Sequence, residues 1–280
     1  MFWKKKDTQL FFVRGFQRSG TNWVCNLLNL HPDISCTGEF HLSPLHKATE
    51  NIISRQHGLL KSKPGTYKEL YYDFIKKTII GYNKNSAWVG DRTPEALLNF
   101  IMPKSSYFVI HRDGRDVLVS WMYHLLRIDH NFGPHLNKKK LLFAQNSSYF
   151  EHHKHELLGP NWVKNMAKYW NNRVVSDCNF ISTSLPKEKD IKIMPLVYED
   201  LLVNTDLRRN EMYKFLDLKP ANSLNLNKLT SPGFDQHDPR SHYRIGKSGR
   251  WEEYFDKKLL NIFMQEAEQG LEKLEWLKSL

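Results

Sequence analysis

Residues 12–23, FVRGFQRSGTNW, set a short apolar run, two glycines and an Arg-Ser-Gly-Thr cluster ahead of a second apolar segment. Gly15 and Gly20 bracket four residues, and Arg18 is the cation among them. A strand that turns on glycine into a helix leaves first-turn N–H groups without intrahelical acceptors, at the positive end of the helix dipole. Such a turn binds an anion, and Arg18, Ser19, Gly20, Thr21 and Asn22 are the candidate contacts. The spacing approaches the phosphate loop G-x-x-x-x-G-K-[ST], in which a lysine reaches the β- and γ-phosphates and a hydroxyl holds Mg²⁺. Here Thr21 and Asn22 follow Gly20, and the lysine is missing. The turn suits an anion but is not equipped for metal-assisted phosphoryl transfer.

The elements that must position this turn follow from apolar patterning. Gln9 to Val13 is a nearly continuous apolar run, as a buried strand requires. Trp23, Val24, Leu27, Leu28 and Leu30 then form a helical stripe over 22–30. A second strand-to-helix unit runs from Tyr107–His111 through RDGRD to a helix marked by Leu118, Trp121, Met122, Leu125 and Leu126. A third strand spans 191–198, with Met212, Phe215 and Leu216 on the helix after it. Helices are expected over 161–175, with Trp162, Met166, Tyr169, Trp170 and Val174, and over the last thirty residues. Strands alternating with helices predict an α/β fold: a single three-layer domain spanning 1–280, with a mostly parallel central sheet and helices on both faces. Two stretches carry little pattern, about 41–85 and 128–160, and are read as variable acceptor or lid regions.

The chain's 280 residues are 40% hydrophobic and 25% charged, an ordinary globular balance. A formal charge of +11 favours a polyanionic partner: nucleic acid, an anionic membrane or a highly phosphorylated small molecule. Three cysteines cannot all pair, which argues against a disulfide framework and for a reducing compartment. No segment has the length of a membrane span, and the apolar stretch near the start is too short for a signal-peptide core. The expected location is the cytoplasm. EHHKHE at 151–156 sets its histidines too close for a regular helical ligand pair and is read as a solvated segment, so no metal site is expected.

At this point the chain resembles the sulfotransferases that use 3′-phosphoadenosine 5′-phosphosulfate (PAPS). RGFQRSGTNWVCNLLNLHPDI is similar to the family's 5′-phosphosulfate loop. YFVIHRDGRDVLVSWMYH resembles its 3′-phosphate segment, with Arg112 at the strand end and Ser120 on the next helix. PLVYEDL matches the segment whose tyrosine, here Tyr198, lies near the adenine. YRIGKSGRW resembles the late loop over the 3′-phosphate and brings in Arg244, Gly246, Lys247 and Gly249. The four occur in the family's order between about residues 10 and 255. In the cytosolic members a Trp just after the turn stacks on adenine. Trp23 stands there and is equally suited to the helix core.

The departures carry information too. The cytosolic members have a lysine in the first loop and a Lys-Thr-His segment with the catalytic histidine. This chain has Arg18 and GDRTP (90–94) instead, which is closer to the tyrosylprotein and glycan-type members, whose base is a glutamate beyond the first helix. Glu39 stands in that place, and GDRTP supplies Arg92 as a second cation. His41 and His46 are rivals for the base. The resemblance implies sulfuryl transfer to a hydroxyl or amine of a small-molecule, glycan or peptide acceptor, with no metal required. Two alternatives remain. One is a P-loop kinase-like phosphotransferase using Asp91 or Asp113 on Mg²⁺; the other is a basic nucleic-acid binder, although no recognition module is apparent.

Overall fold

The computed structural model describes residues 8–55, 63–128, 134–220 and 247–279. Its sheet has strands β1 (Gln9–Gly15), β2 (Ile34–Thr37), β3 (Trp88–Arg92), β4 (Ser106–His111) and β5 (Lys192–Val197), all parallel, in the order β2-β3-β1-β4-β5. The central strands β1 and β4 are buried almost throughout, which explains their unbroken apolar runs. β2 and β3 are short, and their apolar residues give way to polar ones at the carboxyl ends, so they carry no strong strand signal.

Around the sheet lie α1 (Thr21–Leu28), α2 (Ser43–Ser54), α3 (Pro64–Tyr82), α4 (Gly114–Arg127), α5 (Pro134–Gln145), α6 (Pro160–Ile181), α7 (Tyr198–Val203), α8 (Thr205–Phe215) and α9 (Lys257–Lys278). Alternation along the strands divides the core. Phe11, Val13, Phe108 and Ile110 face α1, α7 and α8. Leu10, Phe12, Tyr107 and Val109 face the opposite way, against Ile75 and Ile79 of α3 and Phe180 of α6. A third cluster joins α4, α6 and α9 around Trp170. That indole fits only because Gly114 and Gly270 lack side chains: an added Cβ would stand 2.5 Å and 2.6 Å from it. Its Nε1–H donates to the Arg112 carbonyl at 3.2 Å, so core packing reaches directly to a candidate site residue.

The stretch of about 128–160, expected as a variable acceptor or lid region of little pattern, carries helix among its described residues. α5 and a short turn at Tyr149–His152 fill much of the stretch, with Phe143, Phe150, Leu157 and Leu158 buried in the α4–α6–α9 cluster. The inward residues are few and lie among Lys, His and Asn, which dilutes any periodicity. Likewise, the region 41–85 carries α2 and α3.

Candidate active site

Because the sheet is parallel, the carboxyl ends of its strands lie along one edge, where α/β folds bind ligands at the switch in strand order. Following that order, the edge carries Glu39 just beyond β2, Arg92 at the end of β3, the glycine turn after β1, Arg112 after β4 and Tyr198 after β5. Four strand spacings of roughly 4.8 Å make this a row about 19 Å long.

In the middle of the row, Gly20 is the N-cap of α1 with φ 102, and no side chain caps the first-turn amides. The positive φ and the face of Tyr198, 2.5 Å from where a Cβ would stand, both require glycine here. Gly15 meets the same constraint against the Ile110 carbonyl, 2.3 Å from its would-be Cβ. Ser19 is fully buried, and its Oγ has no hydrogen-bond partner among the described residues. Thr21 is buried at the first helical position, with Asn22 beside it. Arg18, at φ 70, donates from Nε to Ser120 Oγ at 3.2 Å. Trp23 packs into the α1 core with Val24, Leu27 and Leu28.

Toward β5, the Arg112 guanidinium stacks 4.3 Å from the Tyr198 ring centre and donates to the Lys247 carbonyl at 2.9 Å and the Arg18 carbonyl at 3.5 Å. Its Nε is buried without a hydrogen-bond partner among the described residues. Asp116, one turn along α4, accepts from the backbone N–H groups of Gly249 at 2.7 Å and Trp251 at 3.0 Å. It also lies 3.8 Å from Arg112 Nη2. Glu199 accepts from Asp113 N–H at 3.1 Å, and Ser248 Oγ lies 3.4 Å from the same oxygen. Burial holds the Glu199 carboxyl above its ordinary value and does the same for the Tyr198 phenol. The late loop is therefore fastened by two carboxylates. Lys247 and Gly249 stand in it, Gly249 at φ 81; Arg244 and Gly246 lie outside the described residues.

Toward β2, Glu39 accepts from Arg92 Nη1 at 2.6 Å, and His41 Nε2 lies 3.4 Å from its other oxygen. His46 instead sits against Tyr71 and Phe100, with the Tyr71 hydroxyl 3.4 Å from its Nδ1. The structure thus pairs Glu39 with Arg92 and His41, while His46 belongs to an aromatic cluster. Asp91 and Asp113, the carboxylates a metal-using alternative would need, are already bonded: Asp91 to Arg14 at 2.9 Å, Asp113 to Arg115 at 2.6 Å.

Sequence reasoning passed over three groups here. Asp116 and Glu199 lie inside the quoted motifs, but a carboxylate beside an anion site reads as unfavourable until its backbone N–H partners are known. His124, one turn after Ser120, is the third. Burial and the neighbouring guanidinium groups of Arg18 and Arg127 push its imidazole down to about 4, so it is neutral at pH 7.

Residues 8–275 match the sulfotransferase domain family. The chain belongs to that family. Curated relatives include protein-tyrosine sulfotransferase 1 of Homo sapiens, 27% identical over 121 residues, which is 39% of this chain and 33% of that protein. The Danio rerio counterpart is 26% identical over 121 residues, 39% of this chain and 34% of that protein. The matched stretch thus spans about a third of the length of these relatives. Among solved structures, mouse sulfotransferase SULT7A1 complexed with PAP aligns with a TM-score of 0.51 and 16% identity, covering 98% of this chain and 89% of that one. That likeness establishes the shared fold. Within the sulfotransferase family, this chain's edge combines a Glu–Arg pair with a separate arginine site at the far side of the glycine turn.

Proposed function

We propose that the protein transfers a sulfuryl group from PAPS to a hydroxyl or amine acceptor, with Glu39 as general base. The observation carrying this reading is the order along the sheet edge. A carboxylate–arginine pair, a glycine turn at a helix N-terminus and a second arginine beside a tyrosine ring follow one another over about 19 Å. That sequence of groups suits an elongated ligand with anionic groups at both ends and a flat ring. Ser19 Oγ and Arg112 Nε, buried and without hydrogen-bond partners among the described residues, fit such a ligand as hydrogen-bond donors.

PAPS supplies a sulfuryl group on a phosphate leaving group. In this reading Arg112 and the late loop hold the 3′-phosphate, and Tyr198 lies by the adenine. Glu39 takes the proton of the attacking acceptor as its new bond to sulfur forms. The bond from sulfur to the phosphate oxygen breaks opposite, and Arg18, Ser19 and the first-turn amides meet the charge that develops there. Arg92 fixes the Glu39 carboxylate and adds positive charge near the transferred group. A sulfuryl group carries less charge than a phosphoryl dianion, so these cations serve without a metal.

The test is a screen of phenols, sugars, amines and Tyr-containing peptides with ³⁵S-labelled PAPS. Labelled product is expected from one of these classes. Mg²⁺-dependent transfer of ³²P from γ-labelled ATP to one of these acceptors, with no ³⁵S transfer from PAPS to any of them, would refute the proposal.

A further inference from the structure

Arg14 has no role in the transfer as written, yet it is an arginine buried completely at the end of a central strand. Alternation puts it on the same face as Phe12, whose ring it covers at 4.9 Å, with Phe100 at 6.0 Å. An aliphatic side chain would suit that aromatic setting. Replacing a buried ion pair by well-packed apolar groups is often neutral or stabilising, so stability alone does not explain the charge. What Arg14 does that an apolar residue cannot is hold two carboxylates. Its Nη1 lies 2.9 Å from Asp91 Oδ2, and its Nε lies 3.5 Å from Glu95 Oε1.

Each carboxylate turns its other oxygen to the same segment. Asp91 Oδ1 accepts from the Phe40 N–H at 3.2 Å, and Glu95 Oε2 accepts from the Ser43 hydroxyl. Thr93 Oγ1 bonds Asp91 as well, at 2.9 Å, which keeps the carboxylate in one orientation. On the other side, Gly38 lies so close to β3 that a Cβ would stand 2.2 Å from the Arg92 carbonyl oxygen. Residues 38–43 are thus fastened at Gly38, Glu39, Phe40 and Ser43, and two of those fastenings lead back to one guanidinium.

We infer that Arg14 is a positioning residue for Glu39: by bracing Asp91 and Glu95 it fixes segment 38–43 and so the carboxylate that takes the acceptor's proton. This rests on the assignment of Glu39 as base. A base displaced by about 1 Å loses on the order of 10²-fold in rate without any loss of donor binding.

The experiment compares Arg14→Lys and Ser43→Ala with the wild-type enzyme by hydrogen exchange over 38–43, PAP affinity, and the kcat and KM for PAPS. A lysine ammonium keeps the charge but cannot reproduce the fork that spans two carboxylates. Arg14→Lys is expected to speed exchange in 38–43 by about tenfold or more and to lower kcat by roughly 10- to 100-fold. PAP affinity and the KM for PAPS should stay within about twofold. Ser43→Ala, which removes one fastening at the rim, should shift exchange and kcat the same way by a few-fold. Wild-type exchange in 38–43 in both variants would overturn the inference, as would a KM that rises while kcat falls. Exchange is read without an acceptor, so a failed base assignment, seen as full turnover in Glu39→Gln, is distinguishable from a failed clamp.

Discussion

The two ends of the sheet edge are finished differently. At the β2–β3 end the polar groups answer one another: Arg92 holds Glu39, Arg14 holds Asp91, and Asp91 holds the Phe40 amide. At the glycine turn and the β4–β5 end, Ser19 Oγ, Arg112 Nε and Glu199 Oε2 are buried without hydrogen-bond partners among the described residues. At the other end Arg14 Nε and Nη2 and Glu95 Oε1 are likewise without hydrogen bonds, but Arg14 Nε and Glu95 Oε1 face each other at 3.5 Å. Buried polar groups are normally satisfied, so the two donors Ser19 Oγ and Arg112 Nε, beside a helix N-terminus and a tyrosine ring, suit a surface that meets a polar ligand. One end is preorganised and the other is receptive. For the transfer proposed above this is a sensible division: a base at Glu39 would have to be held in place, while a donor pocket at the other end would gain its remaining hydrogen bonds on binding.

The sharpest way to break this comparison is at the preorganised end. Glu39→Gln keeps size and hydrogen bonding but removes the basic carboxylate. Turnover should fall by about 10²–10⁴-fold while PAPS affinity holds nearly constant. Parallel measurements on His41→Ala and His46→Ala complete the test. Near-normal turnover in the Glu39 variant, with collapse in either histidine variant, would move the base to that histidine.

At the receptive end the expected effect lies in binding instead. Arg112→Ala removes a charge-assisted contact worth about 1.5–3 kcal/mol, a loss of roughly 10- to 100-fold in affinity for PAP and PAPS alike. Unchanged PAP affinity in a titration calorimeter would remove Arg112 from the donor site. It would also erase the proposed difference between the ends.

How much of this was legible in the sequence follows the distance along the chain over which each contact closes. The turn at 15–21 and the Arg112-to-Ser120 unit are contiguous, so strand, glycine, cation and helix stripe can be read from one window. Glu39 and Arg92 could be named separately, and the structure joins them. The Arg14–Asp91 pair closes over 77 residues and the Asp116–Gly249 tie over 133, and neither leaves a local pattern. Ser120 shows the same effect. The resemblance to the 3′-phosphate segment grouped it with Arg112, yet its hydroxyl meets Arg18, which approaches from β1. α5 was missed for another reason. Its inward residues are too few to raise a periodicity above the lysines around them.

A smaller effect probes the buried layer behind Arg112. Asp177 is fully buried, accepts from the Leu97 N–H at 3.3 Å and lies 3.9 Å from His111 Nε2. Burial raises its carboxyl from 3.8 to about 7, with Arg173 opposing the shift, and burial lowers His111 to about 3. The protonated Asp177 is thus the form the fold favours. Its contribution to stability is present below about pH 4 and is lost as the pH rises through 7. His111 has the opposite sign: its contribution is present above about pH 6.5 and is lost as the pH falls toward 3. Asp177→Asn keeps an acceptor for Leu97 and cannot ionise. Relative to wild type it should be more stable at pH 8 than at pH 5, by about 1–3 kcal/mol in urea unfolding. Parallel stability curves for the two proteins would contradict this.

The central claim is that the receptive end takes the adenosine bisphosphate of PAPS, and thermal unfolding with PAP or Mg-ATP at equal concentration tests it most directly. At about a hundredfold excess over Kd, PAP should add roughly 2.7 kcal/mol and raise the Tm by about 5 °C, with Mg-ATP giving far less. Equal or greater stabilisation by Mg-ATP would contradict the account.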